Sequence, residues 1–460
     1  MAPVHRPSLI APSNLKSEVA DSPTMQPVVR IPSPQVRFDP TTGTIVPPMA
    51  APWDFSGAGT LDSTHAIHPY VASINPHLAR LLIKNLVPTG TRLLDPFVGG
   101  GAVLVEALRG GVSGCGLDVN PLGVLISRVK TTHIERAKLV QVLGQVLTAY
   151  PSAKEADIHF PSEAKVEFWF KPYMLKPLRK LAGLVQGIRE PRVRDAFKVV
   201  LSGTVRDVSL TYRGEVRLHR LAERDMERFN PDVLSKFQER AVLSIDRISA
   251  LPYQANIEVV EGNARSMPFG PGEFSTVVCS PPYGDDRNGV GYFQFSKNML
   301  YWLGYDREEI RAAKQRFLGE ERTGKVAPRS STLGEAIEHI RENPIPSNPR
   351  AEEECVAFYS DYQDAMREIA RVCSGKVAIV TGDRRLSETF IDNARITTDF
   401  METVGYDLVE YHHRVIDKKR IPVMQPGNGQ RDRSGGGLIN REHTLVYARS
   451  GSGRRIRLPY

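Results

Sequence analysis

One short segment carries residue types suited to chemistry on a planar, nitrogen-bearing ring. Ser280-Pro281-Pro282-Tyr283 follows the apolar run Val277–Cys279, and the two prolines cannot continue a strand because they lack amide donors. The Ser280 hydroxyl and the Pro281 carbonyl are acceptors that could polarise an exocyclic amino group, while Tyr283 could stack on the ring. The alternative interpretation is a Pro-Pro turn whose tyrosine packs locally.

A glycine-rich turn forms the second candidate site. Asp95-Pro96-Phe97-Val98-Gly99-Gly100-Gly101 joins a predicted strand to a predicted helix, where the backbone can approach a ligand closely. No lysine follows the glycines, which excludes a P-loop, and Leu104 stands where a dinucleotide-binding turn has its third glycine. Asp118 ends the next strand, where it can accept both ribose hydroxyls, and Asp95 could meet a cationic or amino group. An adenosine cofactor without a pyrophosphate, S-adenosylmethionine, satisfies these constraints; a tight turn without a ligand is the alternative.

Other reactive side chains near these motifs have weaker cases. Cys279 is interpreted as the last buried residue of a strand, not as a nucleophile. Asp285 and Asp286 either assist proton loss or cap the next segment. His65, His68, His412 and His413 lack metal-ligand spacing with any partner, so no metal site is predicted.

The elements that must position these residues alternate between short apolar strands and amphipathic helices, which predicts an α/β fold around a parallel sheet. The helix between the first two strands runs from Ala102 to Arg109 and is closed by Gly110-Gly111. Seven strands are predicted, at Thr91–Asp95, Ser113–Asp118, Asn256–Glu261, Ser275–Cys279, Lys376–Thr381, Tyr406–Val415 and His443–Ala448.

Strand spacing predicts the domain organisation. Asp118 and Asn256 are 138 positions apart in the sequence, more than a simple crossover needs, so a helical insertion is predicted over residues 135–250. A smaller insertion is predicted between Asp285 and Pro349. The rest comprises a disordered, proline-rich arm (1–53), a cofactor-binding catalytic domain (54–134 and 251–450) and a basic tail (451–460). Helices are predicted within the large insertion at Glu163–Phe170, Pro177–Ile188, Val193–Arg224 and Pro231–Ala250.

Composition limits the setting of the protein. Its 460 residues include 60 Lys and Arg against 52 Asp and Glu, a net charge of +8 that suits a polyanionic partner. No apolar run reaches the roughly 18 residues of a membrane span, no secretory signal is recognisable, and the four cysteines suit a reducing cytoplasm.

Basic residues concentrate near the end of the sequence. Residues 414–460 hold eleven Lys and Arg against three Asp and Glu, and Lys418, Lys419 and Arg420 are predicted to contact phosphates. The arginines of the helical insertion are mainly interpreted as a charged helix surface. Arg213 and Arg217 are the candidate contacts if this region enters a DNA groove.

The two motifs together resemble the S-adenosylmethionine-dependent DNA methyltransferases that modify amino groups. Asp95-Pro96-Phe97-x-Gly99-x-Gly101 with Ser280-Pro281-Pro282-Tyr283 is similar to that family's double signature. Further similarity, within about residues 60 to 450, lies in Thr64-x-x-x-His68-Pro69-Tyr70, Asp118-Val119-Asn120-Pro121-Leu122, Val205–Ser209 with Glu215–Leu218, and Tyr292–Ser296 with Trp302–Gly304.

This resemblance implies a Rossmann-like class I methyltransferase sheet with a flipped target base at Ser280–Tyr283. It implies cofactor contacts from His68–Tyr70, Asp95–Gly101 and Asp118, with Asn263 where the family has an acidic residue near adenine. The implied partners are double-stranded DNA and a cognate restriction endonuclease. Serine at the first tetrapeptide position favours cytosine N4 over adenine N6. An RNA or transfer-RNA amino methyltransferase and a non-catalytic DNA-binding scaffold are the alternatives.

Overall fold

The computed structural model describes residues 53, 55, 58–212, 218–252, 255–284, 292–322, 324–415 and 441–459, with the backbone of Arg37–Phe38 and Ile45–Val46. The chain divides into two compact units, Met1–Ala51 and Pro52–Tyr460. In the first unit, Arg37–Phe38 pairs antiparallel with Ile45–Val46. Most of the predicted arm, residues 1–53, lies outside the described residues.

A seven-stranded sheet forms the centre of the second unit, and its strand ends fall within three residues of the predicted ones. The order across the sheet is β6-β7-β5-β4-β1-β2-β3. β7 is antiparallel to both of its neighbours, and the other pairs are parallel. Because β1 and β4 are adjacent and parallel, the segments that follow them begin side by side at the carboxyl edge. The strands are β1 (Arg92–Asp95), β2 (Ser113–Asp118), β3 (Ile257–Glu261), β4 (Phe274–Cys279), β5 (Cys373–Gly382), β6 (Tyr406–Val415) and β7 (Arg441–Arg449).

Helices cover the two faces of the sheet. The helix after β1 has the predicted bounds, Ala102–Arg109. A separate antiparallel hairpin, Arg384–Leu386 with Thr389–Ile391, follows β5. The described α-helices are α1 (Pro76–Leu86), α2 (Ala102–Arg109), α3 (Pro121–Lys130), α4 (Arg136–Ala149), α5 (Val166–Trp169), α6 (Pro172–Gln186), α7 (Pro191–Val208), α8 (Glu223–Arg228), α9 (Val233–Ser249), α10 (Tyr292–Trp302), α11 (Arg307–Gln315), α12 (Ser331–Glu342), α13 (Ala351–Val372) and α14 (Asn393–Thr403).

Two apolar cores hold these layers together. One packs α3 against α10 and the helices of the large insertion, through buried residues such as Leu122 and Phe197. The other packs α12, α13 and α14 on the sheet, through Leu333, Tyr359 and Phe400. The later helices between β2 and β3 therefore share a continuous core with α3. None of the helices in the described ranges has the length and apolarity needed to cross a bilayer.

The described part of the segment between β2 and β3 is largely helical, and its helices differ in detail from the predicted ones. One helix, α4, is unpredicted, and the predicted helix Val193–Arg224 is wrong because α7 ends at Val208 and α8 starts only at Glu223. Beyond α7, the Arg206 guanidinium bonds to the Thr211 hydroxyl and, at 2.9 Å, to the Tyr212 carbonyl. Arg206 is 9% exposed, so it is not part of the charged helix surface predicted for most arginines of the insertion. Its charge stabilises the turn that ends the helix.

Candidate functional site

The two sequence motifs meet in one cleft at the carboxyl edge of the sheet. The cleft holds about 790 Å³ of empty space, a figure that includes open solvent at its mouth. Residues that follow β1, β2, β3 and β4 all contribute to its walls. Nine of the predicted site residues line it, namely Tyr70, Asp95, Pro96, Phe97, Gly99, Asp118, Asn263, Ser280 and Pro282.

Packing behind the glycine turn explains its composition. Gly99 has φ 45° and Gly101 has φ 80°, torsions that glycine adopts without a steric penalty. A Cβ at Gly99 would lie 2.9 Å from the Tyr70 ring, and one at Gly101 would lie 3.0 Å from the Ser127 backbone. Gly101 is not part of the cleft lining. The turn therefore requires glycine for its own packing as well as for the approach of a ligand.

Asp118 fixes this turn while lining the cleft. Its Oδ2 accepts a hydrogen bond from the Gly99 amide at 2.8 Å, and its Oδ1 accepts one from the Asn120 amide at 2.8 Å. Burial raises the pKa of Asp118 to about 6, against the lowering effect of these backbone amides. The carboxylate is mostly ionised at pH 7, and its oxygens can each accept a further hydrogen bond from a hydroxyl.

Asp95 ends β1 and is 3% exposed. Its Oδ1 accepts a hydrogen bond from the Phe97 amide at 3.1 Å. Burial, together with the charge of Asp118, raises the pKa of Asp95 to about 8 in spite of that hydrogen bond. Such a carboxyl is mostly protonated at pH 7 until a cation binds beside it, which is the chemistry expected of a partner for an amino group.

The His68–Tyr70 segment begins in the protein interior and ends at the cleft. His68 is fully buried, with Nε2 2.8 Å from the Ser202 hydroxyl of α7, and its carbonyl accepts a hydrogen bond from the Lys130 ammonium at 2.9 Å. Burial and nearby cations hold the pKa of His68 well below its ordinary value, so the ring is neutral. Pro69 is exposed and also absent from the lining. The structure therefore brings only Tyr70 of this segment to the cleft.

Asn120 links the cofactor side of the cleft to the helices behind it. Its side-chain Nδ2 donates to the Tyr70 hydroxyl at 2.8 Å and to the Ser296 hydroxyl of α10 at 2.7 Å. Its Oδ1 accepts a hydrogen bond from the Leu122 amide and so caps α3. Sequence reasoning assigned no role to this side chain, although the Asn-Pro pair at a helix start was a visible capping signal.

An outer wall of the cleft comes from residues that sequence reasoning missed. Arg316, Phe317 and Leu318 follow α11 and line the cleft. The Arg316 guanidinium donates to the Glu261 carboxylate at 2.5 Å, and the Phe317 ring packs edge-on against Phe293 with centroids 5.6 Å apart. No motif or periodicity marks this segment, because its place depends on contacts with distant parts of the chain.

A buried carboxylate connects this wall to Asn263. Asn263 lines the cleft after β3, and its Oδ1 accepts a hydrogen bond from the Arg265 amide at 3.0 Å. The Arg265 guanidinium lies 2.8 Å from the carboxylate of Asp361, which is fully buried on α13. Asp361 also accepts from the Gly319 amide at 2.9 Å and from the Lys325 ammonium at 2.6 Å. The Asp361 carboxylate therefore helps to hold both the Arg316–Leu318 wall and the segment of Asn263 in place.

The tetrapeptide follows β4 on the other side of the cleft. Ser280 and Pro282 are half-buried and line the cleft, whereas Pro281 is buried and, like Tyr283, is not part of the lining. The Tyr283 hydroxyl lies 3.4 Å from the Ser280 Oγ and 3.5 Å from the Glu442 carboxylate of β7. Glu442 is a second contact that sequence reasoning missed.

Cys279 is fully buried at the end of β4. Burial, joined by the nearby Asp95, raises the pKa of its thiol well above the ordinary value, so the protonated form dominates at neutral pH. The interpretation of Cys279 as a buried strand residue is confirmed. Asp285, Asp286 and the predicted DNA contacts lie outside the described residues, the latter being Arg213, Arg217, Lys418, Lys419 and Arg420.

One acidic group in the described part of the chain has metal-like spacing. Ligand atoms of Asp62, His65 and Glu106 lie within 4.8 Å of one another. Arg80 and Arg109 donate to the Glu106 carboxylate at 2.6 and 3.0 Å. Although burial opposes it, hydrogen bonds from His65 and Arg80 hold the pKa of Glu106 at about 2. The cluster is an ion-pair network that joins α1 to α2.

The chemistry of the lining fits S-adenosylmethionine. Asp118 offers acceptors for ribose hydroxyls, and Asp95 offers a carboxyl that ionises beside a cation. Phe97 and Phe317 supply apolar surface for a purine ring. A parallel sheet that presents these residues at its carboxyl edge, next to a Ser-Pro-Pro-Tyr segment, defines an α/β methyltransferase.

Comparison with curated proteins agrees with this class. No family model matches the chain. The chain is 27% identical over 409 residues to the type II methyltransferase M.MvaI of Kocuria varians, a match that spans 80% of this chain and 87% of that protein. It is 34% identical over 83 residues to the type II methyltransferase M.MjaII of Methanocaldococcus jannaschii, spanning 18% of this chain and 16% of that protein. These matches support the S-adenosylmethionine-dependent DNA methyltransferase family that the motifs predicted, with S-adenosylmethionine as the cofactor.

Solved structures also include similar chains. A S-adenosylmethionine-dependent methyltransferase from Methanosarcina mazei is 8% identical, with a TM-score of 0.28 over 80% of this chain and 97% of that one. A TehB-like methyltransferase from Corynebacterium glutamicum is 8% identical, with a TM-score of 0.26 over 81% of this chain and 87% of that one. Similarity at this level does not bear on function, and the fold assignment rests on the strand order.

Proposed function

We propose that this chain transfers a methyl group from S-adenosylmethionine to the exocyclic amino group of a base in double-stranded DNA, with cytosine N4 as the favoured target. Bound S-adenosylmethionine supplies a methyl group that its sulfonium sulfur has already activated. The observation that carries the proposal is the cleft itself, which holds Asp95 and Asp118 on one side and Ser280 on the other. No metal ion is part of the proposed chemistry, because a sulfonium donor needs no further activation.

In this proposal, the tetrapeptide holds and polarises the target amine. The Ser280 hydroxyl and the Pro281 carbonyl accept its two N–H groups, which draws the nitrogen towards tetrahedral geometry and frees its lone pair for the methyl group. The base must leave the duplex to reach this position, and Tyr283 stacks on it there. The buried, protonated thiol of Cys279 supports direct displacement over attack through a covalent adduct.

The choice between cytosine and adenine depends on Ser280. Its half-buried hydroxyl can accept from either amine, so adenine N6 is the second candidate. Serine at this place favours cytosine N4, by resemblance to the amino-group DNA methyltransferases.

Topology supports a DNA contact near the target-base side. β6 ends at Val415 and β7 begins at Arg441 beside the carboxyl end of β5, at the same edge of the sheet as the tetrapeptide. Lys418, Lys419 and Arg420 lie between these two strand ends in the sequence, and we assign them to phosphate contacts. Arg213 and Arg217 remain the proposed groove contacts of the insertion over residues 135–250.

The curated relatives are type II methyltransferases, which supports a restriction–modification setting with a cognate endonuclease as a further partner. A DNA substrate in turn favours a cytoplasmic location.

The test is methylation of plasmid DNA from a host without its own methyltransferases, by the full chain with S-adenosylmethionine. Long-read modification mapping should report N4-methylcytosine in one sequence context. Ser280→Ala should lose about 100-fold or more in rate and keep its cofactor affinity. Ser331→Ala, an exposed serine on α12, is the matched control and should be unchanged.

The other outcomes each select an alternative. Detection of N6-methyladenine would identify adenine N6 as the target. Methyl incorporation into total RNA but not into duplex DNA would identify an RNA enzyme. Cofactor binding without transfer to either nucleic acid would identify a non-catalytic scaffold and refute the proposal.

A further inference from the structure

Three residues form one row across the strands beside the tetrapeptide. In the sheet register, Gly382 of β5 faces Glu442 of β7, and Glu442 faces Arg414 of β6. The Tyr283 ring lies against this row, since a Cβ on Gly382 would come within 2.9 Å of its Cε2 atom. The absence of a side chain at Gly382 therefore makes room for the ring. We call Gly382, Glu442 and Arg414 the Tyr283 seat.

Charge within the seat fixes the carboxylate that faces the tyrosine. Glu442 is 8% exposed, and its Oε2 accepts a hydrogen bond from the Arg414 Nε at 2.6 Å. A buried carboxylate of this kind is stable only with such a partner, and the charge-assisted bond restricts its rotamers. The other oxygen, Oε1, lies 3.5 Å from the Tyr283 hydroxyl.

The main chain of Tyr283 is tied to the same strands. The Asn393 side chain donates to the Tyr283 carbonyl at 3.1 Å and to the Gly382 carbonyl at 2.7 Å. The ring, the hydroxyl and the carbonyl of Tyr283 therefore each contact residues that come from the last third of the chain. Neither Arg414 nor Glu442 is part of the cleft lining.

We propose that Glu442, held by Arg414, is a positioning residue that sets the plane of the Tyr283 ring for the target base. The inference rests on the proposed function for the identity of the base that stacks there. The Tyr283 hydroxyl lies 3.4 Å from Ser280 and 3.5 Å from Glu442, both at the long end of the hydrogen-bonding range. When a target amine takes the Ser280 hydroxyl as its acceptor, Glu442 remains to hold the tyrosine, and that contact shortens.

Kinetics of DNA methylation by the full chain test this role. Glu442→Ala should lower kcat about tenfold, the value of one positioning hydrogen bond, and leave KM for S-adenosylmethionine unchanged. Glu442→Gln keeps an acceptor oxygen and should stay within about threefold of the native kcat. Tyr283→Phe should lose as much as Glu442→Ala, and the double variant should lose no more than either. Glu410→Ala, a half-exposed glutamate on the same strand pair, is the matched control and should be unchanged.

A measurement without DNA separates this inference from the proposed function. With 3-fluorotyrosine at position 283, the fluorine resonance should shift and broaden in Glu442→Ala and not in Glu410→Ala. If the native chain methylates no DNA, the proposed function fails, and this resonance alone decides whether the seat exists. A native kcat in Glu442→Ala, additive losses in the double variant, or an unchanged resonance would each overturn the positioning role.

Discussion

Binding of S-adenosylmethionine should release a proton from Asp95 at neutral pH. Burial and the charge of Asp118 raise the pKa of this carboxyl to about 8, so about nine in ten molecules carry the proton at pH 7. The cationic amino group of the cofactor is expected to require the ionised carboxylate. The proton must then leave as the cofactor binds, which makes the affinity depend on pH.

The pKa value sets the size of this effect. At pH 7 the ionisation of Asp95 costs about 1.4 kcal/mol and weakens binding about tenfold, and at pH 6 the loss is about 100-fold. Above pH 8 the affinity should fall again, because an α-amino group loses its own proton at about pH 8. We therefore expect the tightest binding near pH 8 and the release of about 0.9 protons per cofactor at pH 7.

Titration calorimetry of the full chain in phosphate and in Tris measures this proton release, because the two buffers differ in ionisation enthalpy. Asp95→Asn should bind weakly and release no proton from this site. Asp118→Asn should weaken binding and reduce the proton release without abolishing it, because the charge of Asp118 adds to the raised pKa of Asp95 while burial, the larger cause, remains. An affinity that stays constant from pH 6 to pH 8, with equal enthalpies in both buffers, would refute the assignment of Asp95.

The raised pKa of Asp95 also makes the cofactor-free chain less stable as the pH rises. An aspartate in the unfolded chain titrates at about pH 4, whereas folded Asp95 keeps its proton up to about pH 8. The unfolded state therefore binds fewer protons between these values, and the free energy of unfolding falls as pH rises through them. Asp95→Asn should remove this fall in the free energy of unfolding and stabilise the cofactor-free chain at pH 8 by up to a few kcal/mol. Urea unfolding at pH 5 and at pH 8 measures the difference.

Four further variants test other parts of the site. Tyr283→Ala should lose methyl transfer and keep its cofactor affinity; an equal loss of affinity would contradict a stacking role. Gly99→Val should abolish cofactor binding in calorimetry, because its φ of 45° and the Tyr70 ring 2.9 Å away admit no side chain. Cys279→Ala should retain most of the activity, since the buried thiol is protonated, and an inactive variant with native cofactor affinity would point to a nucleophile. Asp361→Ala should destabilise the chain by about 3–5 kcal/mol in urea unfolding, because it leaves Arg265 and Lys325 without their carboxylate, and a native unfolding midpoint would contradict this structural role of Asp361.

Much of the fold could be predicted because its signals are local. The strands are short apolar runs bounded by polar and glycine residues, and the helix Ala102–Arg109 has glycines at both ends. The meeting of Asp95 with Ser280 followed from one rule, that ligands bind at the carboxyl ends of parallel strands. The structure satisfies that rule through the direct pairing of β1 with β4, in which Leu93 faces Thr276.

Features that depend on packing between distant segments could not be predicted. His68 belongs to a segment with a family resemblance, yet its ring is buried against Ser202, which lies 134 positions later in the sequence. The outer wall at Arg316–Leu318 depends on Asp361, a residue in the middle of a helix with no sequence signal of its own. Arg206 looked like surface charge because periodicity shows which face of a helix it occupies and not where that helix ends.

The two halves of the cleft are held by different parts of the chain, and this separation has a functional consequence. On the cofactor side, Asp118 fixes the glycine turn and Asn120 holds the Tyr70 hydroxyl, both through contacts within residues 70–120. On the base side, Tyr283 is held by residues of β5 and β7, more than 250 positions further along than Asp118. Among the described strands, the β1–β4 pair joins the two sides directly through the sheet. Each side can therefore relax without moving the strands that support the other. Substitutions at the residues of β5 and β7 that hold Tyr283 should change the rate of methyl transfer and leave the cofactor affinity constant. Substitutions around Tyr70 should instead change the cofactor affinity first.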